Sequence, residues 1–310
     1  MVIILLFILL LTSLIYVFIP GKFVIAGSRV VNTTSIGFDT CLHKLEKWKQ
    51  WWPGAPGPAA KDSQFVYDGY TCKLSAVYTD GATVQIESGN TSAEIRIQII
   101  PKNRDSIIAE WRTVFQSGNN PITRISNYRS AGKLKKTMNM VFDALCSYAD
   151  KTENIYGYPI ERITFNEVTL IAYRFKSAVY PATATIYAAV KQLKHYLISQ
   201  GAAEKYYPMM NTKQVDSSHY ETMIAISIDR MIPASKEFFI SQMIPIKDRF
   251  LTTDVTGGPA NIVKAQHAIE KYMVDHSLSA PARPFEILVT DRSTVTDTAA
   301  WKTKIFYPSM

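Results

Sequence analysis

The chain has 310 residues, 47% hydrophobic and 19% charged, which is enough to bury cores in two domains of ordinary size and excludes a disordered polypeptide. Its formal charge of +8 is scattered, the densest basic cluster being Lys133, Lys135 and Lys136, which reads as the solvated end of a helix or an anionic-surface contact and not as a nucleic-acid-binding arm. Three cysteines, Cys41, Cys72 and Cys146, are too few and too widely spaced for a disulfide framework or a zinc site, and read as buried thiols in a reducing compartment.

Val2 to Ile19 form an apolar run of eighteen positions broken only by Thr12, Ser13 and Tyr16 and stopped by Pro20-Gly21. That length predicts a transmembrane anchor over residues 1–21. A cleaved signal peptide is the alternative: Val24-Ile25-Ala26 mimics a cleavage site, but no Lys or Arg opens the chain. The first basic residues, Lys22 and Arg29, follow the run, so the positive-inside rule predicts a single-pass protein whose remaining residues face the cytoplasm, with export as the alternative.

A β-like start at Arg29 to Thr33 leads into a helical stretch in which Leu45, Trp48, Trp51 and Trp52 share a face. Pro53 to Pro58, rich in Gly and Pro, is a loop. Residues 65 to 115 alternate in short β-rich runs, such as Ala93, Ile95, Ile97 and Ile99 against Glu94, Arg96 and Gln98, and predict an antiparallel sheet with one wet face. A last helix carries Leu134, Met138, Val141, Phe142, Leu145 and Ala149 at helical spacing and covers the dry face. Over residues 28–150 this order resembles the SRPBCC (START-like, helix-grip) family. There Trp48, Trp51 and Trp52 cap a cavity mouth beside the 53–58 loop, or serve as core or as membrane-interface anchors.

Residues 151–159 form a polar linker, and an internal repeat follows. Asp216, Tyr220, Thr222 and Ile224 recur as Asp297, Trp301, Thr303 and Ile305, each 81 residues on. Pro181 opens a helix bearing Ile186, Val190, Leu193 and Leu197, ended by Gly201, and Pro259 opens another bearing Ile262, Ala265, Ile269 and Tyr272. Pro208-Met209-Met210 matches Pro284-Phe285-Glu286. Each half reads strand, helix, strand, strand, and the two halves bury their apolar faces about a pseudo-twofold axis that leaves a groove at the seam. The fold class expected is therefore α+β: a transmembrane helix, a helix-grip sheet with a long C-terminal helix, then a duplicated βαββ domain.

Within a domain expected over residues 160–310, residues 160–308 resemble the GyrI-like, effector-binding domains of AraC-type and MerR-type regulators, on Gly257-Gly258-Pro259, the Pro-Phe-Glu strand and the ending Asp297 to Pro308. The resemblance implies a groove for hydrophobic, cationic, aromatic ligands, lined by an acidic residue at the position of Glu286. Alternation sets Glu286, Leu288 and Thr290 on one strand face. Either Glu286 lines that groove or it is an edge-strand carboxylate facing water. Leu288 stands where the family often has an aromatic residue, and the equivalent of Glu286 in the first half is Met210. Trp301, Tyr220, Tyr187 and Tyr307 are candidate stacking residues of the groove or ordinary core.

Common catalytic signatures are missing, and the five histidines, among them His195 and His267 on the repeat helices, have no i, i+4 pair, so no catalytic residue, metal or cofactor is expected. The function expected is binding of a small hydrophobic or cationic molecule, without a DNA-binding unit and without nucleic acid as a partner. Two alternatives stand beside it: hydrolysis of strained electrophiles with Glu286 as base, implied by the resemblance, and a membrane-proximal protein-interaction module whose partner is unknown.

Overall fold

The computed structural model describes residues 2–54, 64–89, 91–166, 169–243 and 249–310. Among these residues the chain is α+β, built on two antiparallel sheets of six and eight strands. Contacts divide it into two compact units, Met1–Ile155 and Tyr156–Met310.

The first unit opens with α1 (Val2–Phe18), whose 17 residues rise about 25 Å, short of the ~30 Å hydrocarbon layer of a bilayer. Among the described residues no helix is long and apolar enough to cross a membrane. The transmembrane anchor expected over residues 1–21 is therefore corrected to a short helix, and the argument that set the rest of the chain in the cytoplasm loses its premise. Pro20 ends the helical path because it has no N–H to offer and restricts Ile19 before it. The helix is tied back on its own unit, where the Tyr16 hydroxyl donates to the carbonyl of Asn119 and the Arg124 guanidinium lies 4.3 Å from the Tyr16 ring.

The sheet follows as β1 (Lys22–Val31), β2 (Gln64–Tyr67), β3 (Tyr70–Tyr78), β4 (Gly81–Ser88), β5 (Thr91–Asn103) and β6 (Ser106–Gln116), in the spatial order β1-β6-β5-β4-β3-β2. Along β5 the alternation sends Ile95, Ile97 and Ile99 inward, as a half-wet sheet demands. Two short helices, α2 (Ser35–His43) and α3 (Leu45–Trp51), stand between β1 and β2. Helix α4 (Pro121–Ala149) packs on β1 and β6 and buries Leu134, Met138, Val141, Phe142, Leu145 and Ala149. Asn120 caps it by accepting from the Ile122 amide at 2.8 Å, with Pro121 at the first helical position.

A single-turn helix, α5 (Thr152–Tyr156), runs up to the first residue of the second unit, which contains β7 (Glu161–Ile163), β8 (Thr169–Ser177), α6 (Thr183–Ser199), β9 (Met209–Asp216), β10 (His219–Ser227), β11 (Phe238–Gln242), β12 (Phe250–Thr256), α7 (Pro259–Asp275), β13 (Phe285–Leu288) and β14 (Lys302–Pro308). The strand order β11-β8-β10-β9-β13-β14-β12-β7 is a palindrome of the two halves, with β9 and β13 at the centre. The halves thus join edge to edge in one sheet and not face to face. In the central pair Glu286 lies opposite Met210, its own repeat equivalent, so the pseudo-twofold axis passes between these two residues.

Register carries Ile224, Met210, Glu286 and Ile305 across four strands on one face. Both helices cover that face. Helix α6 buries Ile186, Val190, Leu193 and Leu197 against β8 and β10, and α7 buries Ile262, Ala265, Ile269 and Tyr272 against β12 and β14. Gly201, at φ +67°, ends the path of α6 in the left-handed conformation common after a helix.

Candidate functional site

Where α6 and α7 diverge over the sheet centre they leave a cavity of about 460 Å³. Met210 of β9 and Glu286 of β13 contribute to its floor, Ile186 of α6 and Ile262 of α7 to its walls, and Arg292 and Trp301 to its lining. The first turns of both helices border it, at Thr183 and at Pro259. Their amide ends carry partial positive charge, a setting that favours a carboxylate.

Glu286 is only 7% exposed, in the middle of the sheet, so the edge-strand reading does not apply to it. Its Oε1 accepts a long hydrogen bond, 3.4 Å, from the Gln266 amide. Its Oε2 is buried and makes no hydrogen bond; the nearest cationic group is the Arg292 guanidinium, at 3.7 Å. Burial raises the Glu286 pKa above the ordinary carboxylate value, and the charge of Arg292 opposes that rise.

Arg292 is itself held on several sides. Its Nη2 donates to the Thr303 hydroxyl at 2.6 Å and its guanidinium sits 4.8 Å from the centre of the Trp301 ring, a cation–π distance. Trp301 is fixed in turn by its indole N–H, which donates to the Val295 carbonyl at 2.9 Å. The result is a row of buried ring, guanidinium and carboxylate, ending on the half-buried Gln266 amide, along one side of the cavity.

Of the residues singled out from sequence, Glu286 and Trp301 line this cavity together. Tyr220 reaches it indirectly, its ring lying 6.0 Å edge-on from Tyr180, which borders the cavity. Tyr187 faces a different groove along α6, its hydroxyl donating to the Thr290 carbonyl at 2.8 Å. Tyr307 is core beneath α7 and donates to Glu270 at 3.0 Å. His195 and His267 are exposed on the two helices. Arg292, Gln266 and Tyr180 were not legible as site residues. Arg292 sits in a turn after β13 where spacing predicts nothing, although its basic side chain six residues past a strand carboxylate offers the one signal available.

In the first unit Trp48, Trp51 and Trp52 pack with Phe65 in one aromatic cluster, ring centroids 4.9 to 5.7 Å apart. Each indole N–H donates to a backbone carbonyl, of Leu42, Cys41 and Val66 respectively. Trp52 belongs to this cluster although the helix stops at Trp51. Residues 55–58 of the Pro/Gly loop lie outside the described residues. Among the described residues no group of His, Cys, Asp and Glu has the arrangement to hold a metal ion.

No protein-family model and no curated protein matches the chain. Among solved structures, the cryo-EM structure of an EcmrR–DNA complex is similar at 14% identity, covering 62% of this chain and 72% of that one, with a TM-score of 0.44. The crystal structure of the EcmrR C-terminal domain is similar at 13% identity, covering 49% of this chain and 98% of that one, with a TM-score of 0.41. A START superfamily protein from Mycobacterium smegmatis is similar at 14% identity, covering 40% of this chain and 97% of that one, with a TM-score of 0.28. Likenesses this distant leave the chemistry to the residues themselves.

Proposed function

We propose that residues 160–310 form a GyrI-like small-molecule-binding module, that residues 28–150 form an SRPBCC-like companion, and that the ligand of the former lies in the cavity between α6 and α7. The observation that carries this reading is Glu286, a carboxylate 7% exposed at the floor of a cavity walled in part by Ile186, Ile262 and Met210, with one oxygen lacking any hydrogen bond. A buried polar group left unpaired costs free energy, and a ligand that brings a donor removes that cost. A cavity of about 460 Å³ with apolar walls and a few polar groups has the size and character of a drug-sized ligand site.

Arg292 refines the ligand class. A cation in the cavity is drawn by Glu286 and repelled by Arg292, 3.7 Å from it, so the apolar walls supply affinity while the pair sets orientation. The ligand is then a flat hydrophobic molecule whose donor group, charged or protonatable, competes with Arg292 for the carboxylate.

Calorimetric titration with 9-aminoacridine, a cation, and acridine, its neutral counterpart of similar shape, tests this. Glu286→Gln keeps the shape and removes the charge, and is expected to weaken the cation by about tenfold or more while acridine changes far less. Loss of neither would return Glu286 to a purely structural role.

The direction of the Glu286 pKa also favours a second reading, in which the carboxylate acts as a general base toward a strained electrophile. It takes a proton from water, the hydroxide adds to a ring carbon, and the strained carbon–carbon bond breaks with its electron pair passing to the activating group. Turnover of an activated cyclopropane that disappears in Glu286→Gln while acridine binding persists would establish it.

A further inference from the structure

Among the described residues no helix packs on the opposite face of the second unit's sheet, and that face is not uniform. Cross-strand register sets Ala172, Ala225, Met209 and Ile287 in one row. The next row brings Arg174, Met223 and Asn211 together, and the row beyond it Lys176, Glu221 and Lys213. The face therefore passes from apolar to basic within three rows.

A cavity of about 420 Å³ opens on this face, lined by Met209, Met223, Phe250 and Phe285 with Arg174 and Arg283 among them. None of the described residues lining it is acidic. The nearby acid is Glu221, which accepts from Arg283 at 2.8 Å. That hydrogen bond first, and then the charges of Arg174, Arg283 and Lys176, hold the Glu221 carboxyl below its ordinary pKa, as a net positive field does. Arg174 lies along the apolar surface, 5.4 Å from the Phe239 ring and in reach of the Met223 sulfur at 4.0 Å.

We propose that this cavity is a second ligand site, distinct from the groove between the helices, and that it takes an amphipathic carboxylate. The apolar body lies on Met209, Met223, Phe250 and Phe285. Methionine adapts its unbranched side chain to chains of differing shape, and the two guanidinium groups present paired donors to a carboxylate head. Glu221 holds one of those guanidinium groups in the empty protein and competes with the ligand for it.

The test uses the full chain, with decanoate as probe, decanamide as its neutral counterpart, and calorimetric titration below the concentration at which decanoate aggregates. Decanoate is expected to bind one per chain and about tenfold more tightly than decanamide. Arg283→Gln and Arg174→Gln are expected to weaken decanoate about tenfold each, and Glu221→Gln to tighten it several-fold by releasing Arg283. Arg174 is exposed and the Arg283 side chain is half exposed, so their variants should melt with the parent, and a melt on each sample confirms the fold. Failure of decanoate to bind, equal affinity for decanoate and decanamide, or unchanged affinity in both arginine variants overturns the proposal. Saturation with 9-aminoacridine should leave decanoate binding unchanged. If decanoate displaces the dye, the carboxylate is using the groove between the helices, and the second site falls while the first reading stands.

Discussion

Removal of Arg292 from the Glu286 pair should destabilise the second unit more than removal of both charges together. At 3.7 Å and an effective dielectric of about 20, two unit charges attract by about 4 kcal/mol. Against this stands the desolvation of both ions, several kcal/mol each when they are buried, and Glu286 and Arg292 are 7% and 8% exposed. No direct hydrogen bond joins them at that separation, so the intact pair contributes little net stability. Arg292→Met leaves the carboxylate buried with an oxygen that already lacks a hydrogen bond, at a cost of about 3 kcal/mol. For a unit of this size that is a fall of about 6–12 °C in Tm. Glu286→Leu combined with Arg292→Met removes both ions and should lie within about 1 kcal/mol of the parent, a strong departure from additivity. Glu286 has a folded-state pKa above its unfolded value, so the folded protein holds the proton more tightly. The cost of its charge is complete above the folded pKa, shrinks as pH falls through it, and vanishes below the unfolded value of about 4.3. Arg292 opposes the raised pKa, and its loss should raise it further. Arg292→Met should therefore lose markedly less stability, relative to the parent, at pH 5 than at pH 7.5. Differential scanning calorimetry of the parent, the single variants Glu286→Leu and Arg292→Met, and the double variant at both pH values reads these quantities. An Arg292→Met loss equal at the two pH values, or single costs that simply add in the double variant, would refute the reasoning.

Burial raises the thiol pKa of Cys41 to about 11 and those of Cys72 and Cys146 to about 12, so at pH 8 a disulfide reagent should modify all three slowly in the folded chain and rapidly in denaturant. Trp48, 1% exposed at the centre of the aromatic cluster, should cost about 3–5 kcal/mol when replaced by alanine, read as a shift in the calorimetric transition of the first unit. Tyr307→Phe removes a hydroxyl that donates to Glu270 away from the cavity and should leave 9-aminoacridine affinity within about twofold, whereas Trp301→Ala should lower it by about tenfold.

The duplicated βαββ architecture was legible because its signals are local and occur twice. Helical spacing marked Ile186 to Leu197 and Ile262 to Tyr272, and strand alternation put Glu286 on the face opposite Phe285 and Ile287. Edge-to-edge joining of β9 and β13 was not legible, since main-chain hydrogen bonds between distant strands leave no mark on side-chain pattern. Nor were the flanking strands β7 and β11, which lie outside the repeat and pair with β12 and β8. The apolar opening misled for a related reason. Hydropathy records how much water a segment avoids, not where its helix stops, and α1 stops at Phe18. At the site, a strand periodicity exposes a carboxylate out of place but is silent about a turn residue such as Arg292, whose position is set by its contacts with Thr303 and Trp301.

Opposition of Glu286 to Met210 across the pseudo-twofold axis has a consequence for how such a site can arise. If one half existed alone and paired with its own copy in the same way, the acidic position would meet itself, with main chains about 5 Å apart and two carboxylates forced together. Like charges so placed cannot both ionise, and the dimer would carry a shared proton in place of a fixed negative charge. Joining the halves in one polypeptide frees each to mutate alone, so that a thioether answers the carboxylate and a guanidinium is present on one side only. A ligand entering the groove then meets two unlike ends and has a single preferred orientation, which no self-paired ancestor could impose.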